Sequence, residues 1–317
     1  MEKADSRLRK RRRSRTGDPV DLGFAPRRVG LALGGGAVRG AAHVGALQAL
    51  REIGLVPGLV VGTSVGALVG AMYAAGVSPE ILAEILRGMH WRDITRLSRP
   101  RRLGLLETSR LRALVEGLVG EVSFDKLSIP FAAVACDITT GRRVVITSGS
   151  VLDAVMASSA IPGLFVPVQS GDAILVDGAV VDNLPVDVAR SLGADYVVAV
   201  DVMPPTHGPR RPQDLRDMFL TSLEIMQRAT EREGRFADCY IAPDIGGFAM
   251  ADFSVVEELR CRGYDATAQV APQLRHDLDL PETGELPACE PGEPTGEPTR
   301  SEPASGEPAG ASCGPGV

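Results

Sequence analysis

No C-x-x-C pair and no Cys/His spacing of the zinc-binding kind occurs in this sequence, so a zinc site is not expected. The cysteines, Cys136, Cys239, Cys261, Cys289 and Cys313, are odd in number and scattered. That pattern predicts reduced thiols, no disulfide and a cytosolic setting. Aromatic residues make up only 4% of the chain, and the net charge is −6. A nucleic-acid partner needs a clustered basic face with interleaved aromatics, and so is not expected. No apolar h-region follows the basic start MEKADSRLRKRRRSRTGDPVDLGF, which does not read as a cleavable signal.

Charge is instead gathered at the two ends. Residues 1–28 hold ten Lys/Arg against four Asp/Glu, and residues 281–317 hold seven Glu against one Arg. The first stretch reads as a flexible basic arm, drawn to anionic lipid by roughly 1 kcal/mol per charge near the surface. A cytoplasmic protein touching the inner membrane surface peripherally through this arm is the expectation. The second stretch, PETGELPACEPGEPTGEPTRSEPASGEPAGASCGPGV, has no periodic apolar residues and reads as a disordered Glu/Pro/Gly-rich tail. Residues 29–280 remain as one folded domain, in a chain whose 44% hydrophobic content is enough for a substantial core.

Within that domain, short apolar runs alternate with helical periodicity. VGLAL (29–33), LVV (59–61), PFAAVACDI (130–138), RRVVIT (142–147), AILVDG (173–178), GADYVVAVDV (193–202) and CYIAP (239–243) read as strands. Helical patterns follow Gly40, running to Gly54, then from the GTSVG stretch to about Ala75, near 212–233 and near 254–275. Strands apolar on both faces, alternating with helices, predict an α/β fold with a mostly parallel central sheet sandwiched between helices.

The stretch GLVPGLVVGTSVGALVG (54–70) carries a glycine at every fourth position and admits two readings. Small residues four apart suit a membrane-embedded helix that packs closely against another, which would make this a membrane-anchored protein. The same residues also read as a strand, a sharp turn and a helix, with Gly62-Thr63-Ser64-Val65-Gly66 as a G-x-S-x-G elbow that raises a nucleophilic serine above a parallel sheet. Pro57 and the short run Leu59-Val60-Val61 favour the second reading.

Two further stretches carry possible chemistry. LALGGGAVRG (31–40) is a glycine-rich turn between a strand and a helix, whose backbone N–H groups suit a phosphate or an oxyanion. As a dinucleotide fingerprint it puts Ala37 at the second glycine, and no acidic residue ends the next strand. LVDGAVVDNLP (175–185) puts Asp177 at a strand end, where a turn residue or a catalytic carboxylate both fit.

Taken in order, GGGAVRG, GTSVG, ASSAIPGLFVPV and DGAVVDNLP resemble the patatin-like phospholipase family over residues 29–190. The resemblance implies a three-layer α/β/α fold and a serine esterase that cleaves lipid or lysophospholipid esters through an acyl-enzyme, without metal or cofactor. It implies Ser64 as nucleophile and Asp177 as its only partner. The amides of Gly35, Gly36 and Ala37 would form the oxyanion hole. Arg39 would be the family's basic residue, and Gly34, Gly40, Gly62, Gly66 and Gly178 the supporting glycines. Ala37 and Ala179 stand where relatives carry glycine, and neither removes a needed side chain. A Ser64-Asp177-His207 triad is the alternative, since His207 and His276 alone follow Asp177; His43 reads as a helix-face residue packed near the glycine loop.

Overall fold

The computed structural model describes residues 28–98, 103–203, 212, 215–230, 236–250, 252–282 and 284–291. All of the basic arm but Arg28, together with His207 and residues 292–317, lies outside them. The strands are β1 (Val29–Leu33), β2 (Leu59–Thr63), β3 (Arg96–Leu97), β4 (Gly104–Glu107), β5 (Phe131–Asp137), β6 (Arg142–Ile146), β7 (Gly163–Phe165), β8 (Val168–Ser170), β9 (Ala173–Asp177), β10 (Tyr196–Val200) and β11 (Cys239–Ile241). The helices are α1 (Ala41–Glu52), α2 (Val65–Ala74), α3 (Pro79–Arg87), α4 (Trp91–Ile94), α5 (Ser109–Val119), α6 (Val151–Ser158), α7 (Val186–Ser191), α8 (Leu215–Thr230) and α9 (Val256–Leu278).

The main sheet has the order β11-β10-β1-β2-β5-β9-β8, with β6 also on β5. From β11 to β5 every pairing is parallel, whereas β6, β8 and β9 pair antiparallel. The cause lies in burial. All residues of β1, β2, β5 and β10 are buried, which requires cover on both faces. Leu31, Leu33, Val60 and Val198 join the core cluster that also contains Val44, Leu47, Val69 and Leu274 of α1, α2 and α9. Ala32, Val61, Val134 and Val197 point the other way, against Leu184 and against Val186, Val188 and Ala189 of α7. Period-two alternation along each strand therefore sorts the side chains into two cores and makes the three layers. A second sheet, β3-β4-β7, stands apart from the first.

Helices α1 and α9 approach almost to backbone contact. A Cβ on Gly45 would lie 1.8 Å from the Arg260 carbonyl oxygen, and one on Gly263 would lie 1.9 Å from that of Ala42. Neither neighbour is a side chain that can rotate away. Gly263→Ala is therefore expected to destabilise by at least about 2–3 kcal/mol, at the upper end of overpacking effects. Gly117→Ala, in α5 with nothing within 4 Å, is expected to stabilise by up to about 1 kcal/mol. Urea midpoints of the two variants check both; a Gly263→Ala midpoint equal to the native one would refute the close approach.

The 54–70 stretch is the strand, turn and helix that its sequence favours and not one helix: β2 ends at Thr63 and α2 starts at Val65. Among the described residues no helix is long and apolar enough to cross a membrane. The expectation of no disulfide fails, because Cys261 of α9 is bonded to Cys289, with their Cα atoms 5.1 Å apart. Spacing along the chain did not announce this pair, since a reversal of the chain makes it. Asp279 takes a left-handed conformation (φ 51°) at the end of α9, and the following residues turn back along the helix. Leu286 packs on the core and the Cys289 N–H donates to Asp265 Oδ1 at 3.1 Å. Residues 284–291 are thus held against α9, unlike the free tail expected from Pro281 onward. Cys136 and Cys239 are buried free thiols.

Candidate active site

Ser64 is the hinge between β2 and α2, with φ 56° and ψ −125°. A serine at positive φ stores on the order of 1–3 kcal/mol of strain, which the surroundings must hold. Gly62 and Gly66 permit the bend by their lack of side chains. A Cβ on Gly62 would lie 2.4 Å from the Gly66 carbonyl carbon, and one on Gly66 would lie 2.2 Å from the Leu33 oxygen. The elbow is then tied on both sides. Thr63 Oγ1 donates to the Asp182 carbonyl at 3.0 Å. The Ser64 N–H donates to Ser158 Oγ at 2.9 Å, and that hydroxyl donates to the Val134 carbonyl at 2.5 Å.

Asp177 reaches the elbow by strand register. On β5, Val134 is the partner of Thr63 and the next residue, Ala135, is the partner of Asp177. Adjacent positions on one strand thereby set the serine and the acid side by side. The Ser64 hydroxyl donates to Asp177 Oδ2 at 2.6 Å, and the Ala179 N–H donates to Oδ1 at 2.9 Å. Both residues are buried. Burial pushes the Asp177 carboxyl up from its ordinary 3.8 to about 6, against the opposing pull of the Ser64 and Ala179 bonds. Gly178 allows the strand to end so close to β5, since a Cβ there would meet the Val134 oxygen at 2.3 Å.

The glycine turn follows β1 and lies beside this pair. The Gly34 N–H donates to the Val200 carbonyl and the Gly35 N–H to the Asn183 carbonyl, each at 3.1 Å. Of the three amides expected in the oxyanion hole, that of Gly35 is therefore already engaged. Gly35 contributes space instead: a Cβ there would sit 2.5 Å from Asn183 Oδ1 and 3.2 Å from the Ser64 Cβ. Among the described residues the N–H groups of Gly36 and Ala37 donate to no backbone acceptor. Ala37 takes a left-handed conformation, φ 52°, and lines the cavity with Ser64. Gly40 brings the turn onto α2, where a Cβ would meet Val65 Cγ2 at 2.2 Å.

Arg39 has another place than beside the serine and acid. Its guanidinium is buried, donating to the Phe248 carbonyl at 3.0 and 2.9 Å and to Glu224 of α8 at 3.1 Å. With the Val38 N–H on the Met250 carbonyl at 3.1 Å, it clamps the glycine turn to the 245–250 loop. His43 also serves the turn: its Nε2 bonds the Gly34 carbonyl at 2.7 Å, and a carbonyl can only accept, so Nε2 carries the proton. Burial lowers the His43 pKa to about 4, so the ring is neutral at pH 7. His90 and His276 pair with Asp93 and Asp277, and the two Asp177 oxygens go to Ser64 and Ala179.

Sequence reading missed two supports, Ser158 beneath the serine amide and Asn183 on the glycine turn, whereas His43, read as packed near the glycine loop, is found there on Gly34. Ser158 and Asn183 fall within the quoted ASSAIPG and DGAVVDN stretches, so their motif membership was the available signal. The Asp182 carboxylate pairs with Arg143 at 2.6 Å while its carbonyl holds Thr63. Asp201 is engaged with the Met203 N–H and the Tyr240 hydroxyl.

In front of Ser64 lies a cavity of about 100 Å³ whose walls are apolar, among them Leu68, Met89, Ile94, Phe165 and Val256. A smaller one of about 30 Å³ shares Leu68, Leu86 and Met89 as lining and reaches Leu118. Apolar walls of this kind suit a hydrocarbon group better than a charged one.

Fold and site together define a class: three α/β/α layers with a strained serine at a strand–helix bend, bonded directly to a buried aspartate. The patatin-like phospholipase profile matches residues 31–190. The chain belongs to that family. An uncharacterized NTE family protein of Mycobacterium tuberculosis is 38% identical over 207 residues, covering 60% of this chain and 53% of the relative. A second from the same organism is 31% identical over 288 residues, covering 80% and 48%. The chain thus spans about half the length of these relatives. The lysophospholipase nte1 of Aspergillus fumigatus is 28% identical over 292 residues, covering 80% of this chain and 19% of that protein. Among solved structures, VipD from Legionella pneumophila is similar at a TM-score of 0.47 and 18% identity, covering 78% of this chain and 67% of that one.

Proposed function

We propose that this protein is a lipid acyl hydrolase of the phospholipase or lysophospholipase type, its catalytic unit lying within residues 29–280. One observation carries the reading: the 2.6 Å bond from a strained Ser64 to a buried Asp177, facing an apolar cavity. In the proposed reaction Ser64 Oγ attacks the ester carbonyl and its proton passes to Asp177 Oδ2. The carbonyl oxygen, now negative, is met by the Gly36 and Ala37 N–H groups, where each donor of an oxyanion hole is worth about 10²–10³-fold in rate. Collapse breaks the ester C–O bond, and Asp177 returns the proton to the departing alcohol. A water molecule, deprotonated by Asp177, then attacks the acyl-Ser64 carbonyl; the acyl–Oγ bond breaks, Asp177 returns the proton to Ser64 Oγ, and the fatty acid is released.

The raised pKa of Asp177 suits this work, since a base poised near the working pH is more effective than an ordinary carboxylate. The apolar cavity supports a fatty acyl chain as the bound part of the substrate, and the name of the Aspergillus relative agrees with a lysophospholipid. A histidine triad is disfavoured by the direct contact of serine and acid, which leaves no room for a ring between them. The test is labelling with a fluorophosphonate probe. Labelling is expected in the native protein and in His207→Ala, and none in Ser64→Ala. Equal labelling of native protein and Ser64→Ala would refute the proposal.

A further inference from the structure

Ser158, the last residue of α6, and Ser159 and Ala160 just after it meet the main chain of both Ser64 and Asp177. Ser158 Oγ accepts from the Ser64 N–H at 2.9 Å and Ser159 Oγ donates to the Ser64 carbonyl at 3.4 Å. The Ala160 carbonyl accepts from the Asp177 N–H at 2.9 Å. One short stretch thus holds the serine and the acid together.

The Ser158 hydroxyl stands in a particular place in the sheet. In the parallel pairing of β2 with β5, Val60 lies opposite Phe131 and donates its N–H to the Pro130 carbonyl at 2.9 Å. Such bonds recur at even spacing along a parallel pair, so four residues on, the Ser64 N–H is due at the Val134 carbonyl. It goes to Ser158 Oγ instead, and that hydroxyl donates to the Val134 carbonyl at 2.5 Å. A hydroxyl has one proton and two lone pairs, so it can fill such a rung from both sides at once.

The insertion falls where β2 leaves β5 and, one residue further along β5, the β5–β9 pairing ends at Ala135 and Asp177. It keeps β2 off β5 at the residue that must bend. The strained backbone of Ser64, φ 56°, is therefore held by the hydroxyl rather than released into a regular ladder. Ser158 is 0% exposed, so water does not stand in for the side chain.

We infer that Ser158 is a positioning residue for the nucleophile: its inserted hydroxyl, with the Ser159 and Ala160 contacts beside it, sets the Ser64 hydroxyl within reach of Asp177 Oδ2. The kinetic consequence rests on the proposed function, whereas the pairing itself can be read without hydrolysis. Ser158→Ala is expected to lower kcat on p-nitrophenyl esters by about 10²-fold, the scale for a small misplacement of a reacting group. KM should change little, because the cavity walls keep their residues. Ser158→Thr, which retains a hydroxyl, is expected to recover most of the loss. The Ser64 bond holds the Asp177 carboxyl down against the upward push of burial. Its titration, followed by carbon NMR of aspartate-labelled protein, is therefore expected to move upward from about 6 in Ser158→Ala. Thermal midpoints confirm that the variants are folded; should Ser158→Ala not fold, Ser158→Cys, whose thiol bonds only weakly, takes its place with the same expectations. An Asp177 titration that is unmoved or lowered, or a native kcat, would overturn the inference and leave Ser158 a packing residue. A native protein that the fluorophosphonate probe does not label, with an Asp177 titration that still moves upward in the variant, would refute the proposed function and support the positioning.

Discussion

Asp177→Asn is expected to lower ester hydrolysis by about 10⁴-fold, the upper end of the range for loss of a general base, because no described second base contacts Ser64. The amide still accepts from Ala179 and occupies the same volume, so the loss is chemical. The pH profile separates this from a positioning defect. With Asp177 raised to about 6, native kcat/KM is expected to fall below about pH 6 as the base becomes protonated. The residual rate of the variant is expected to lack that inflection. Stability should move the other way. A carboxyl whose pKa is higher folded than unfolded contributes stability that is present below the unfolded value of 3.8 and lost as pH rises through about 6. Above that window the buried carboxylate destabilises the fold by on the order of 2–3 kcal/mol. Asp177→Asn should therefore be more stable than native protein at pH 7 to 8, with the difference vanishing below about pH 4. An active Asn variant, or one with an unchanged pH inflection, would remove Asp177 from the chemistry.

The second large effect concerns Arg39. Arg39→Met is expected to cost about 3–5 kcal/mol, the range for breaking one side of a buried ion pair, because it takes the cation from Glu224 and the donors from the Phe248 carbonyl. Arg39 is 1% exposed and Glu224 8%, so water does little to replace the lost contacts. Adding Glu224→Leu should recover much of the loss, since a buried ion pair contributes little over apolar residues of similar volume. Urea unfolding of the two single variants and the double variant gives the coupling. Additive losses would refute the clamp. Because Arg39 sits two residues from Ala37, the single variant is also expected to lower kcat more than it changes KM, by loosening the Gly36 and Ala37 amides.

Much of the fold was legible because its signals are local. Each all-buried strand announced itself as a continuous apolar run, and β1, β2, β5, β9, β10 and β11 lie within two or three residues of where those runs placed them. The small elements were silent. The two-residue strand β3 and the four-residue helix α4 are too short to show a period, and their backbone follows their neighbours. The antiparallel edge was equally hidden, because Ala173–Asp177 reads the same whichever way its neighbour runs.

Local pattern along the chain determined, by itself, the layered fold and the bend at Ser64, since continuous apolar runs and a sharp turn flanked by glycines are short-range signals; the partnership of Ser64 with Asp177, 113 residues away, was implied only by the family resemblance. Tertiary structure alone decided which glycine-turn amides remain available, that Arg39 is a clamp, and that Cys261 meets Cys289. The reason is physical. Each of these depends on a partner far away in sequence, such as Asn183, 148 residues from Gly35, or Glu224, 185 residues from Arg39. Only the folded packing of sheet and helices brings such partners within hydrogen-bonding range.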